Sequence, residues 1–387
     1  MSYILNISTA VPEYKIEPLE MLKFYADALH ADNSNLADKL GYLIKKTKIR
    51  ARYSCIPDFK GLEPELFKDN NLQPSVENRM ALYKSKVLPL ATKVMHQIFK
   101  ESQIAAEDIT HFITVSCTGI MAPGLELILA ETFQLEHTEK SALNFLGCYA
   151  ALKAIKQANY IAQAQPDACI LIVCAELCSI HFNPSEIPDD IISNILFSDG
   201  AAAAMVCGKE NKYLKNQMVF SIDKVGSAFI PDSSELMKWD ISSTAFKMVL
   251  NPKVVPAIKE KIFAVIDRFL VQKHTETDYW AIHPGGVKIV EAVRDGLDLT
   301  DDDVCASMSI MENYGNMSSP TILFVLNSIF ETIKKQCSDE EKTIFSCAFG
   351  PGLNIEMIGL TAQLAGIQNI KNGRLREQEA VVLTNGL

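Results

Sequence analysis

From about residue 109 the chain alternates two hydrophobic spacings. ITHFITVSCTG (109–119) is rich in β-branched and aromatic residues and ends in a glycine turn, whereas GLELILAETFQL (124–135) carries apolar residues at helical spacing. GCYAALKAIKQANYIAQAQ (147–165) then reads as helix, and DACILIVCAEL (167–177) is the continuous apolar run that a fully buried strand needs. DGAAAAMVCG (199–208) continues the pattern with small residues that allow close packing. The second half echoes the first: QMVFSIDKVGS is strand-like, VVPAIKEKIFAVIDRFLVQ is an amphipathic helix, and DYWAIHPGG is a strand ending in a glycine turn. SPTILFVLNSIFETIKK predicts another helix, and KTIFSCAFGPGLNIEMIGL a final strand pair about a tight turn. The first hundred residues read mostly as helix, with polar breaks at DNSN and DNNLQPS. Alternation of this kind predicts an α/β protein with helices covering sheets. Its rough duplication places a seam near GKENKYLKNQ, dividing the chain into halves 1–215 and 216–387.

A chain of 387 residues exceeds the size at which one core stops growing, which agrees with two halves. With 48% hydrophobic and 22% charged residues the composition is that of a globular protein. A formal charge of −10 argues against a nucleic-acid binder. No apolar run reaches a membrane span, and the N-terminus lacks the basic start and cleavage site of a signal peptide, so a cytoplasmic location is expected. The ten cysteines fit reduced thiols: Cys169, Cys174 and Cys178 sit in apolar runs, and no spacing suggests a zinc site or a redox pair. No metal is expected.

Three short stretches carry chemistry: GC with Cys148, HPGG with His283, and YGNMSSP with Asn316. Taken singly, each has a plainer reading. Cys148 could be a small buried hydrophobe, His283 a surface turn residue, and Asn316 a helix cap. Together they supply a nucleophile, a base and a neutral amide donor, the set that cysteine-based acyl transfer requires. A thiol at a helix N-terminus is acidified by the dipole, and a nearby imidazolium acidifies it further. An ion pair of Cys148 with His283 is therefore expected, and with it the fastest alkylation among the cysteines.

GCYAALKAI, HPGG, YGNMSSP and AFGPGL resemble, in order and spacing, the signatures of chalcone-synthase-like type III polyketide synthases. The similarity extends from about Lys39 to Leu360, and VSCTGIMAPGLEL, CAELCSIHF and SNILFSDGAAA are most similar to the bacterial branch, which includes tetrahydroxynaphthalene synthases. The resemblance implies a thiolase fold, a five-layered αβαβα core of two similar halves, in a homodimer. It implies that Cys148 carries a starter acyl group taken from an acyl-CoA. His283 and Asn316 would then bind the thioester oxygen of malonyl-CoA while decarboxylation turns it into an enolate. Donors placed where that charge develops stabilise the transition state. No metal or redox cofactor is required by this chemistry.

Further roles are implied position by position. Phe197 in LFSDG, and more loosely Phe246 in TAFKMVL, match gate phenylalanines between the CoA tunnel and the reaction cavity; the alternative for each is a core phenylalanine. Lys39, Lys46 and Arg50 lie where the family binds CoA phosphates, although a solvated basic helix face would look the same, and Lys288 is a further candidate. Tyr42 stands where plant members have arginine, which implies rearranged contacts. Cys117, Thr118, Cys178, His181, Ser193 and Ser318 map to the cavity lining, and Gly350, Pro351 and Gly352 to a loop near the nucleophile. Ala348 and Ser198 depart slightly from the family pattern, and Ala122 replaces a methionine that reaches across the plant dimer. Residues from about 366 form a C-terminal extension beyond the usual family end.

The expected reaction is iterative condensation of malonyl-CoA onto the acyl starter, followed by cyclisation to an aromatic polyketide or pyrone. Malonyl-CoA itself or a fatty acyl-CoA is expected as starter in preference to p-coumaroyl-CoA. The alternatives are a condensing enzyme that uses acyl carrier protein in the manner of a ketoacyl synthase, a cysteine hydrolase or thioesterase, and an acyl-CoA-binding scaffold without activity.

Overall fold

The computed structural model describes residues 1–29, 34–68, 71–215, 217–270, 276–336 and 340–365; the C-terminal extension expected from about 366 lies outside them. The strands are β1 (Ser2–Ala10), β2 (Tyr14–Ile16), β3 (Arg52–Ser54), β4 (His111–Ser116), β5 (Glu139–Asn144), β6 (Cys169–Leu177) and β7 (Asp199–Gly208), then β8 (Met218–Phe229), β9 (Met237–Ile241), β10 (Phe246–Leu250), β11 (Tyr279–Ile282), β12 (Lys342–Gly350) and β13 (Asn354–Leu364). The helices are α1 (Pro18–Ala28), α2 (Ser34–Lys46), α3 (Val76–Ser102), α4 (Leu125–Thr132), α5 (Ala150–Ala164) and α6 (Pro188–Leu196), then α7 (Val254–Leu270), α8 (Val287–Gly296), α9 (Cys305–Tyr314) and α10 (Thr321–Gln336).

Nine strands run in the order β11-β12-β13-β8-β1-β7-β6-β4-β5. The pairing of β1 with β8, from Ser2 opposite Ile222 to Ile4 opposite Phe220, joins the strands of the two halves. Successive side chains of a strand point to opposite faces, and here both faces are buried. In β6, Leu171, Val173 and Ala175 pack with residues of α1, α3 and α4, while Ile170, Ile172 and Cys174 pack with α5 and α10. In the second half, Ile344, Ile358 and Leu360 face the same α5–α10 layer, and Phe345, Cys347 and Met357 face α7 and α8. The layers are therefore helix, sheet, helix, sheet, helix, with α5 and α10 at the centre. Strands covered on both sides have no polar face, which is why their sequences show no alternation.

One expectation is corrected at the N-terminus. Residues 2–10 form a strand inside the sheet rather than a helix. A register shift between Ile4 and Asn6 in the ladder with β7 disturbs the two-residue period. Ile4 and Ile7 consequently face one core while Leu5 faces another, a spacing that imitates a helix. Among the described residues no helix is long and apolar enough to cross a membrane.

Candidate active site

Each of the three chemical side chains stands where a regular element meets a turn. Cys148 lies between β5 and α5, His283 directly follows β11, and Asn316 lies between α9 and α10. All three are buried, and with Phe197 they line one pocket of about 380 Å3, counting space open to solvent, completed by Met237, Met248, Leu250, Gly285, Ile289 and Phe349. The turn carrying Cys148 is sterically determined. Gly147 has φ +84°, and a Cβ there would come within 2.5 Å of Pro351 Cδ, so only glycine suits both the conformation and the contact. Phe145 and Ser318, in the turns on either side of the thiol, also adopt left-handed φ of 59° and 60°. Backbone strain of this kind costs about 1–3 kcal/mol per residue and persists where packing enforces it.

The polar geometry aims the amide of Asn316. Its Oδ1 accepts the backbone N–H of Ser318 at 2.8 Å, which assigns the other end of the amide to the NH2 group. That NH2 has only a long contact, 3.5 Å, to the Gly285 carbonyl. Cys148 Sγ lies 3.7 Å from Ser318 Oγ and 4.0 Å from Asn316 Oδ1. Both ring nitrogens of His283 are buried without a hydrogen-bond partner, although its backbone is fixed by donating to the Cys347 carbonyl at 2.8 Å. A neutral imidazole so placed presents one acceptor and one donor.

Burial dominates the electrostatics. It raises the Cys148 thiol from 9.0 to about 11, with buried Glu176 adding to the effect and the thiol's hydrogen bonds to Ser318 and Asn316 opposing it. It lowers His283 from 6.5 to about 3. A helix N-terminus stabilises a nearby anion by about 0.3–1 kcal/mol and opposes the rise at Cys148. Burial thus favours the uncharged form of each group, and no hydrogen bond joins them. The ion pair expected from the sequence has no matching hydrogen bond in this pocket, because both His283 ring nitrogens are without a partner. The labelling expectation changes with it, because Cys305 is exposed whereas Cys148 is buried.

Phe197 is held across the seam. Asn316 donates its backbone N–H to the Leu196 carbonyl and accepts from Ser198 N–H, each at 2.9 Å, while the buried Arg52 donates to the Phe197 carbonyl at 2.8 Å. On the other side of Phe197 lies a second cavity, enclosing about 630 Å3 of space partly open to solvent. Cys178, His181, Ser193 and Phe246 line it, together with Trp239, Met248, Arg52, Asp190, Asn194 and Lys247. Phe246 is buried in an aromatic cluster with His181, Trp239 and Phe145.

Other expected residues stand behind the walls. Cys117 and Thr118 line neither cavity, because their backbone N–H groups turn inward to the buried Glu176 carboxylate at 2.8 and 3.1 Å. Cys117 Sγ nevertheless accepts Gly147 N–H at 3.1 Å, one residue from the nucleophile. Ser318 lines neither cavity yet approaches the thiol, as given above. Gly350, Pro351 and Gly352 also line neither; Pro351 supports Gly147, and a Cβ at Gly350 would meet the Tyr149 ring at 2.4 Å. Lys39 and Lys46 are on α2, Lys39 reaching the Glu186 carbonyl at 3.5 Å and Lys46 covering the exposed Tyr42 ring at 4.5 Å. Arg50 pairs with Glu312 on α9 at 3.6 Å, and Lys288 is exposed on the first turn of α8.

Two features escaped the sequence reading although a signal existed for each. Glu176 is an acid inside an otherwise apolar strand, and a buried carboxylate is informative because it is rare. It accepts from Thr118 Oγ1 at 2.8 Å and Ser319 Oγ at 2.5 Å, and burial raises its pKa. The β9–β10 hairpin supplies Trp239 and Met248, and MKWDI alternates apolar and polar residues with a period of two.

The sequence signature described as chalcone and stilbene synthases, N-terminal domain, matches residues 1–210, and that of the C-terminal domain matches residues 221–363. The chain is 28% identical to 1,3,6,8-tetrahydroxynaphthalene synthase of Streptomyces coelicolor, covering 92% of this chain and 91% of that protein. It is 30% identical to polyketide synthase 37 of Dictyostelium discoideum across 82% of this chain, but spans only 11% of that much longer protein. The crystal structure of PKS-I from the brown alga Ectocarpus siliculosus superposes with a TM-score of 0.86 at 26% identity, covering 93% of this chain and 98% of that one. Matched in both halves and sharing this architecture, the chain belongs to the chalcone and stilbene synthase family of type III polyketide synthases, enzymes that transfer and condense acyl groups carried as CoA thioesters.

Proposed function

We propose that this enzyme loads a starter acyl group onto Cys148 and extends it with malonyl units, His283 acting on both steps and Asn316 on the second. The observation that carries the reading is the convergence of thiol, imidazole and oriented amide on one pocket. In loading, the free acceptor nitrogen of His283 takes the thiol proton as sulfur attacks the acyl-CoA carbonyl. The proton leaves on the CoA thiolate, so neutral partners give a neutral thioester. Malonyl-CoA then loses CO2, and the electron pair of the broken C–C bond passes to the thioester oxygen as an enolate. The Asn316 NH2 and the N–H of His283 are the donors for that oxygen. The enolate carbon attacks the acyl thioester, the new C–C bond forms, and the Cys148 thiolate departs to be reloaded with the longer chain. The electron count closes without a metal or redox cofactor.

Phe197 and Phe246 are assigned as gates between the CoA tunnel and the reaction cavity, and Lys39, Lys46, Arg50 and Lys288 are assigned to CoA phosphates. Malonyl-CoA or a fatty acyl-CoA is assigned as starter, and an aromatic polyketide or pyrone as product. We assign a cytoplasmic homodimer; β5 leaves one edge of the sheet unpaired among the described strands, and Ile120, Leu127 and Tyr160 are exposed apolar residues. Sedimentation of the whole chain tests the dimer. The test of function is mass spectrometry of products from labelled malonyl-CoA alone and with hexanoyl-, lauroyl- or p-coumaroyl-CoA. Labelled polyketides support condensation; free acids without extension overturn it in favour of hydrolysis. A strong, exclusive preference for p-coumaroyl-CoA overturns only the starter.

A further inference from the structure

The β9–β10 hairpin belongs to the C-terminal half but covers a cavity walled largely by the N-terminal half; Arg79 holds its turn by donating to the Thr244 carbonyl, and two side chains at the cavity tie down its strands. The Trp239 indole N–H donates to the Cys117 carbonyl at 2.9 Å. On the neighbouring strand, the backbone N–H of Phe246 donates to His181 Nδ1 at 3.2 Å. His181 Nε2 lies 2.7 Å from the Thr118 carbonyl oxygen. A carbonyl only accepts, so Nε2 carries the proton; an amide N–H only donates, so Nδ1 carries none. The two partners fix both the tautomer and the neutral state, since an imidazolium would set a donor against a donor. Burial agrees, lowering the His181 pKa to about 3. The ring also stacks on the Phe246 side chain, with centroids 4.4 Å apart and planes 13° from parallel, and meets Trp239 edge-on at 5.8 Å.

We propose that His181 is a positioning residue for polyketide length: as the neutral Nε2–H tautomer it clamps Phe246 and its hairpin to the Cys117–Thr118 segment, keeping the growing chain ordered between condensations. The proposal rests on the condensing reading above. Its consequence follows from where the hairpin reaches. Phe246 and Trp239 wall the outer cavity, Met237 and Leu250 wall the pocket of Cys148, and Met248 lines both. With Trp239 and Arg79 still holding the rest of the hairpin, loss of His181 frees the Phe246 strand, and the intermediate packed against it loses order. An enol oxygen of the chain can then attack its own thioester carbonyl, forming a C–O bond and expelling the thiolate, which takes the enol proton. The released product is a short pyrone.

His181→Phe keeps a flat ring against Phe246 and removes both hydrogen bonds. His181→Gln can restore both, its NH2 donating to Thr118 and its carbonyl accepting from Phe246. Each is compared with wild type for acetyl-CoA formation from malonyl-CoA, and for the ratio of full-length product to short pyrone with the best starter. In His181→Phe the ratio is expected to fall by about 10- to 100-fold, the effect of misplacing substrate by an ångström. Decarboxylation should persist and His181→Gln should recover the ratio. An unchanged ratio in His181→Phe, equal losses in both variants, or parallel loss of decarboxylation overturns the clamp. Nitrogen NMR of the wild-type protein is independent of turnover and of variant folding. A protonated Nε2 with a bare Nδ1 at His181 supports the proposal, and the opposite tautomer overturns it. If the wild type makes no extended product, it is the condensing reading that fails, and NMR still decides the clamp.

Discussion

The pocket around Cys148 and the cavity beneath the β9–β10 hairpin share Phe197 and Met248 and differ in almost everything else. The first is the smaller, lined mostly by apolar side chains, and holds its three reactive groups at the ends of elements packed into the central layers. The second is larger, partly open, and mixes aromatic rings with Arg52, Asp190, Asn194 and Lys247. One region keeps fixed geometry in a dry site, where preorganised donors act most strongly. The other can change its lining without disturbing them. The difference separates the chemistry of condensation from the choice of substrate and product.

The sharpest way to break this separation is at the nucleophile. Cys148→Ala should abolish extension, by about 10⁴-fold or more as for loss of a catalytic nucleophile. Acetyl-CoA formation should survive, because the Asn316 and His283 donors remain. Asn316→Ala should instead lower decarboxylation itself by about 10²–10³-fold, the range for removing one oxyanion donor. Equal loss of decarboxylation in the two variants, measured as acetyl-CoA released, would refute separate roles within the pocket. In the outer cavity, Ser193→Leu should leave decarboxylation intact. It should alter discrimination among starters by about 10- to 200-fold, as one or a few carbons in a pocket typically do. Competition between hexanoyl- and lauroyl-CoA checks this, and a fall in decarboxylation with unchanged selectivity would show that the two regions are not separable.

The same contrast governs what could be read in the sequence. Cys148, His283 and Asn316 each sit beside a glycine in a short turn after or before a strongly patterned segment, so local sequence marked them. The alternating layers were legible too, since buried strands and amphipathic helices have different periods. Cys117 and Thr118 were placed in the lining because they adjoin a strand end; which way they face depends on Glu176, 59 and 58 residues away. The outer cavity depends still more on distant contacts. Trp239 reaches Cys117 across 122 positions and Phe246 reaches His181 across 65. No window of sequence contains both ends of such a contact. The neutral state of Cys148 and His283 was hidden for a related reason: a turn sequence reveals a neighbouring helix dipole, but burial comes from layers contributed by the whole chain.

That neutral state sharpens the description of the inner pocket. With the thiol pushed up to about 11, its reactive anion is scarce at neutral pH. Alkylation of Cys148 by iodoacetamide should quicken by about tenfold per pH unit between pH 7 and 9, because rate follows thiolate fraction. Cys305, the exposed thiol among the described cysteines, should label before it. Peptide mapping across that pH series decides the matter. A Cys148 rate that is already fast and flat with pH would reinstate the ion pair and contradict the dry pocket.

The smallest expected effect compares how dry the two regions are. His181 belongs to the outer cavity and His283 to the inner pocket, and burial holds both near a pKa of about 3, well below the ordinary 6.5. Below pH 6.5 the unfolded chain takes up a proton at each histidine while the folded chain does not. The associated stability is fully present above pH 6.5 and is lost as the pH falls towards 3. Between pH 7.5 and 5.5 the loss is about 1.4 kcal/mol for each histidine. Glu176 and Asp199 act in the opposite sense, since burial raises their pKa and favours proton uptake by the folded form. The test therefore lies in differences between chains that keep both acids. Urea unfolding of wild type, His181→Gln and His283→Gln at the two pH values should show each variant losing about 1.4 kcal/mol less than wild type. Equal sparing means that the hairpin seals the outer wall as tightly as the layers seal the inner one. If His181→Gln parallels wild type while His283→Gln does not, His181 is hydrated at acid pH and the outer cavity is the wetter region. If both variants parallel wild type, neither histidine is held neutral by burial, and the electrostatic contrast with solvent fails at both sites.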